Sequence, residues 1–109
     1  MKKTVLTVDD SRTIRQMLRA ALLDAGMEVL QAEDGVQGLE VLDGSMPDVI
    51  VTDINMPRMD GYEATRTLRA TVEAGAQPYV IAVTANAQHG ERDRCLAAGC
   101  DDFLTKPTR

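Results

Sequence analysis

DVIVTD, residues 48–53, sets four strand-forming residues in a row between two aspartates. The run does not alternate apolar with polar, so both its faces need cover, as in the interior of a parallel sheet flanked by helices. The stretch Asn55 to Gly61 (NMPRMDG) is dense in turn formers and reads as a loop. Asp53 therefore stands where a buried strand, Asp48 to Thr52, gives way to a loop. The same arrangement recurs along the chain. Thr4 to Val8 (TVLTV) leads into Asp9 and Asp10, Tyr79 to Val83 (YVIAV) into Thr84, and Asp102 to Thr105 (DFLT) into Lys106. Glu28 to Ala32 adds one further strand.

Helical patterns fill the gaps between these runs. Ile14, Met17, Leu18, Ala21, Leu22 and Ala25 form an apolar stripe at helical spacing, opened by Ser11 as N-cap and closed by Gly26. Val36, Leu39, Val41 and Leu42 mark a second helix ending near Gly44. A third runs from about Tyr62 to Ala74, with Leu68 and Val72 inward, and a fourth from Gln88 to Ala98. Strict alternation of strand and helix implies an α/β fold with a parallel sheet and right-handed crossovers. The expected five-stranded order is 2-1-3-4-5, the flavodoxin-like, doubly wound arrangement. In it Asp9, Asp10, Asp53, Thr84 and Lys106 converge on the carboxyl edge of the sheet, where such folds bind ligands.

The 109 residues suit one small domain. Only four residues follow the last strand, so no fifth helix is expected, and the first helix alone would cover one sheet face. A domain truncated at its C-terminus is the expectation, residues 1–109 forming one unit whose bare face is covered by a partner, a second copy or helix exchange. Seventeen acidic against twelve basic residues give a net charge of −5 without a basic cluster, which argues against nucleic-acid binding. No apolar run approaches a membrane span or a signal peptide. Cys95 and Cys100 lack metal-ligand spacing and read as structural thiols, which suits a cytoplasmic location.

The carboxylates set the terms of the chemistry. Three of them together require a cation or a proton. All-oxygen donors favour Mg²⁺ or Mn²⁺, with one or two carboxylates as ligands and the remaining positions left to water and substrate oxygens. Asp9 or Asp10 could instead cap the first helix. Asp53 can act as a nucleophile toward phosphorus, giving an acyl phosphate. The transfer needs its equatorial oxygens neutralised, and a metal, the Thr84 hydroxyl and the Lys106 ammonium suit that task. Singly, Thr84 is an ordinary β-former and Lys106 an ordinary surface lysine; jointly at four strand ends they form a site.

VDDS (Val8 to Ser11), TDINMPRMDG (Thr52 to Gly61), VTANA (Val83 to Ala87) and TKP (Thr105 to Pro107) resemble, in this order, the receiver (response regulator) domain of two-component signalling. The resemblance covers the whole chain. It implies Asp53 as phosphoacceptor, Asp9, Asp10 and Asp53 with the backbone carbonyl of Asn55 as Mg²⁺ ligands, Thr84 as switch hydroxyl, and Lys106 beside the phosphate. It further implies Phe103 as the aromatic switch residue, a cis Lys106-Pro107 bond, a histidine kinase or phosphotransfer domain as donor, and an output partner at the fourth-helix and fifth-strand face. Asn55 and Asn86 would tune the lifetime of the phosphate. The domain would be a switch, not an enzyme in its own right.

The first half, with TVDDSRTIR and AEDGVQGLEVL, resembles chemotaxis regulators of the CheY type. From about Tyr62, EATRTLRA, IAVTANA and RCLAAGCDDFLTKP resemble receivers attached to hybrid sensor kinases, so a hybrid-kinase module or a recombined or engineered chain is the alternative. A haloacid dehalogenase-type phosphatase shares the residue types but has its nucleophile after the first strand, and a flavodoxin would need a phosphate-cradling loop where Asp9 and Asp10 stand. A pure scaffold would not need all five site residues. His89 reads as a solvent-facing residue, and Arg58 and Asp60 either gate Asp53 or are simply solvated.

Overall fold

The apolar run at residues 49–53 is the middle strand of the sheet, and the computed structural model describes residues 2–53, 61–71, 77–84 and 90–105. In chain order the elements are β1 (Thr4–Val8), α1 (Arg12–Asp24), β2 (Glu28–Ala32), α2 (Gly35–Gly44), β3 (Val49–Asp53), α3 (Gly61–Thr71), β4 (Tyr79–Thr84), α4 (Glu91–Ala98) and β5 (Asp102–Thr105). All neighbouring strands are parallel, in the order β2-β1-β3-β4-β5. The expected doubly wound topology is therefore the observed one. β3 lies one residue later than DVIVT suggested, because Asp48 caps the strand start by accepting from the Thr4 amide at 2.8 Å, while Asp53 joins the ladder opposite Val83.

The chain moves one way across the sheet through α1 and the other way through α2, α3 and α4. Right-handed crossovers then put α1 on one face and the other three helices on the opposite face. On the three-helix face, Leu6, Val8, Ile50, Val80 and Ala82 pack with Leu68, Cys95 and Ala98 into the buried core. Close approach there depends on Gly38, where a Cβ would stand 3.3 Å from Val8 Cγ2.

The α1 face is thinner. None of the helix's residues is fully buried: Ile14, Leu18 and Leu22 are half-buried and Met17 is 62% exposed. An ion pair from Arg15 to Glu33 turns one flank of α1 toward the end of β2, and Met17 and Ala21 lie on the opposite flank. Beside that flank the strands present Val49, Val51, Ile81 and Val83 half-buried and Tyr79 and Leu104 exposed. Among the described helices α1 alone covers this face. Its stripe has the periodicity of a buried helix without the burial, because a single helix cannot bridge the sheet's width.

At the amino edge of β4 the chain is fastened by Arg69 of α3. Its guanidinium donates to Gly99 O (2.9 Å), Gln77 Oε1 (2.7 Å), Pro78 O (3.0 Å) and Asp101 Oδ2 (2.7 Å). The same Asp101 oxygen accepts from the Val80 amide at 2.8 Å. Gly99 serves twice here. Its φ of +107° closes α4, and any Cβ would meet Arg69 Cγ at 2.8 Å.

The closing turn also explains the cysteines. Gly99 N donates to Leu96 O and Cys100 N to Cys95 O, a Schellman pair of bonds that brings the side chains before and after the turn together. Cys95 and Cys100 are both buried thiols, where half-burial was expected. Cys100 Sγ lies 3.7 Å from Thr65 Oγ1. Burial pushes the Cys100 thiol up, partly offset by the Thr65 contact.

Two outcomes are expected. Arg69→Ala should lower unfolding free energy by about 1–3 kcal/mol in urea titrations, since it removes charge-assisted bonds that also satisfy backbone carbonyls. Because the folded state holds the Cys100 proton more tightly than the unfolded chain, its contribution is complete below the ordinary thiol range and lost as pH rises through it. Stability measured from pH 8 to 10 should accordingly fall less steeply in Cys100→Ala than in the unaltered protein.

Candidate functional site

The parallel pairing of β1 with β3 matches Val8 with Thr52, so the next residues, Asp9 and Asp53, stand side by side at the carboxyl edge of the sheet. Asp9 and Asp53 are buried, 3% and 7% exposed, whereas Asp10 is exposed. One carboxylate oxygen from each of Asp9, Asp10 and Asp53 lies within 4.8 Å of the others. At that separation two charges repel by about 3 kcal/mol at an effective dielectric near 20. Oxygen-only donors, two of them drawn out of solvent, fit a hard divalent cation.

Local structure aims these groups. Ser11 caps α1 by accepting from Ile14 N at 3.3 Å, and its own amide donates to Asp9 Oδ1 at 2.8 Å. The capping alternative is thus divided: Ser11 caps the helix while Asp9 braces the turn before it. The Asp9 amide donates to Ala32 O at 3.1 Å, tying the end of β1 to the end of β2. The Thr52 hydroxyl donates to the Asp53 carbonyl at 2.9 Å and stiffens the end of β3.

Thr84, fully buried, ends β4 one residue beyond the Asp53–Val83 pair. Phe103 pairs with Ala82 across β4 and β5 and packs half-buried against the core. Lys106 and Asn55 lie outside the described residues, as do the Lys106-Pro107 bond, Asn86, His89, Arg58 and Asp60. Sequence reasoning passed over Arg15. Its Nη1 donates to the Asp9 carbonyl, a link no spacing rule signals because the acceptor is backbone.

A family model described as response regulator receiver domain matches residues 5–109. Response regulator MprA of Mycobacterium ulcerans (strain Agy99) is 42% identical over 107 residues, covering 98% of this chain and 45% of that protein. MprA of Mycobacterium sp. (strain KMS) is 41% identical over the same shares. The chain thus spans a little under half the length of these relatives. Among solved structures, the Vibrio cholerae chemotaxis protein CheY4 superposes with a TM-score of 0.91 at 34% identity, covering 100% of this chain and 90% of that one. The receiver domain of sensor histidine kinase PA1611 from Pseudomonas aeruginosa, with a magnesium ion coordinated in its active site cleft, gives 0.86 at 37% identity, covering 100% and 88%.

Clustered carboxylates make the fold cation-sensitive by linkage. Millimolar MgCl₂ should raise the melting temperature above that in NaCl of equal ionic strength, and Asp9→Asn should abolish the difference.

Proposed function

Since the chain belongs to the response regulator receiver domain family, we propose that it is a phosphoacceptor switch whose Asp53 takes a phosphoryl group from a histidine kinase or phosphotransfer domain. The observation that carries this reading is the convergence of the Asp9, Asp10 and Asp53 oxygens within 4.8 Å at the carboxyl edge of β1 and β3. Asp53 is the nucleophile. One of its oxygens bonds to phosphorus as the P–N bond of the donor phosphohistidine breaks, and the departing imidazole nitrogen takes a proton from water. The Thr84 hydroxyl donates to one phosphoryl oxygen and the Lys106 ammonium to another.

Asp9, Asp10, Asp53 and the Asn55 carbonyl would hold Mg²⁺, which when bound supplies the charge neutralisation that both the carboxylates and the incoming phosphoryl group need. The burial of Asp9, Asp53 and Thr84 supports the assignment, because hydrogen bonds to the phosphoryl group strengthen where water is excluded. Movement of Thr84 toward the phosphate and of Phe103 into the vacated space then reshapes the α4–β5 face for an output partner. The domain promotes only its own phosphorylation and dephosphorylation. Two buried thiols, which persist where the surroundings are reducing, support a cytoplasmic location.

Similarity to CheY4 supports a CheY-like regulator. A second reading, the receiver module of a hybrid sensor kinase, is favoured by the likeness to the PA1611 receiver. In either setting the face beside α1, which α1 alone covers among the described helices, would take a further helix, a partner or a second copy.

Incubation with acetyl phosphate and MgCl₂ should attach one hydroxylamine-labile phosphate, detected by intact mass. Chelation of the metal should prevent the labelling. Equal labelling of Asp53→Asn would refute the assignment.

A further inference from the structure

Asp9 is held through its amide, its carboxylate and its carbonyl, and the third hold comes from a side chain that the phosphoryl chemistry does not call for. Arg15, in the first turn of α1, donates from Nη1 to the Asp9 carbonyl. Its side chain is only 11% exposed, yet its one ion pair among the described residues is 3.8 Å long and reaches Glu33, whose side chain is 68% exposed. Burying a guanidinium for so weak a pair is unfavourable by itself. What Arg15 does achieve is a bridge. It joins α1, the turn after β1 and the turn after β2 at the point where the acidic residues leave the sheet.

We propose that Arg15 is a positioning residue for the cation site: by holding the Asp9 carbonyl it fixes the peptide plane shared by Asp9 and Asp10, and with it the directions in which both carboxylates project. The amide hydrogen bond from Asp9 to Ala32 and the Ser11 bond to Asp9 Oδ1 restrain the same turn from its other two sides. Without Arg15 the plane can rotate, and the three oxygens no longer stay within reach of one ion. The proposal rests on the cation-assisted phosphoacceptor reading above.

Positioning and simple charge make opposite predictions. A largely shielded positive charge beside a cation site repels the ion, so a residue acting by charge alone would, when neutralised, tighten binding. A residue acting by position would weaken it, and groups that orient metal ligands commonly contribute 10–100-fold. Arg15→Met, which keeps most of the volume, is expected to weaken Mg²⁺ binding about tenfold in calorimetric titrations. Arg15→Lys keeps the charge but not the fork that spans Asp9 and Glu33, and should fall between the two. Hydrogen exchange at the Ser11 amide should quicken in Arg15→Met, and acetyl phosphate labelling of Asp53 should recover at saturating Mg²⁺.

Unchanged or tighter Mg²⁺ binding in Arg15→Met overturns the proposal. Should that variant fail to fold, Arg15→Lys decides, and wild-type affinity there is the overturning result. A wild-type protein that neither binds Mg²⁺ nor labels defeats the phosphoacceptor reading and this proposal together, whereas normal wild-type behaviour with no change in either variant defeats the proposal alone.

Discussion

The register of β1 against β3 governs the rest of the molecule. With Val8 opposite Thr52, Asp9 and Asp53 emerge together, and Leu6 and Ile50 point to the same buried face. A slip of one residue would turn the slipped strand's core side chain to the opposite face and swing its carboxylate away from the other. Core burial and site assembly are thus enforced by one ladder. The run Val49–Val51 is apolar on both faces and would suit either register, so its polar ends fix the register: Asp48, which accepts from the Thr4 amide, and Asp53, which stands beside Asp9.

That enforcement is needed because the site works against the fold. Three carboxylates kept close repel one another, by about 3 kcal/mol for a pair at this spacing, a sizeable part of the roughly 5–15 kcal/mol by which such domains are stable. The opposing restraints are hydrogen bonds that each engage the backbone at one end or both: Asp9 N to Ala32 O, Ser11 N to Asp9 Oδ1, Arg15 Nη1 to the Asp9 carbonyl, and the Thr52 hydroxyl to the Asp53 carbonyl. They tie the acids to the ends of β1, β2 and β3. A site preassembled in this way gives up little ordering entropy when a ligand arrives.

Much of this was legible in the sequence because it depends on local pattern. Unbroken apolar runs marked the strands, a helical stripe with Ser11 and Gly26 marked α1, and polar residues at strand ends marked the site. What escaped depends on contacts between distant residues. Arg69 looks like any helix-surface arginine until Gly99, Pro78 and Asp101 are brought around it. Arg15 likewise acts on a carbonyl, which carries no residue identity. The α1 stripe misled in the other direction: periodicity reports which side of a helix is apolar, whereas Met17 shows that burial depends on what lies opposite.

The Arg69 fastening also gives α4 two unlike ends. Its C-terminal end is pinned through Gly99 O to Arg69 and through the Cys100–Cys95 backbone bond, while its N-cap, Gly90, makes no side-chain capping bond. With eight residues, α4 is too short to hold its own shape without such support. Among the described residues, then, the side-chain restraint on α4 gathers at the amino edge of the sheet, away from the carboxyl edge where Thr84 sits. A helix held chiefly at one end tilts about that end if the other is displaced.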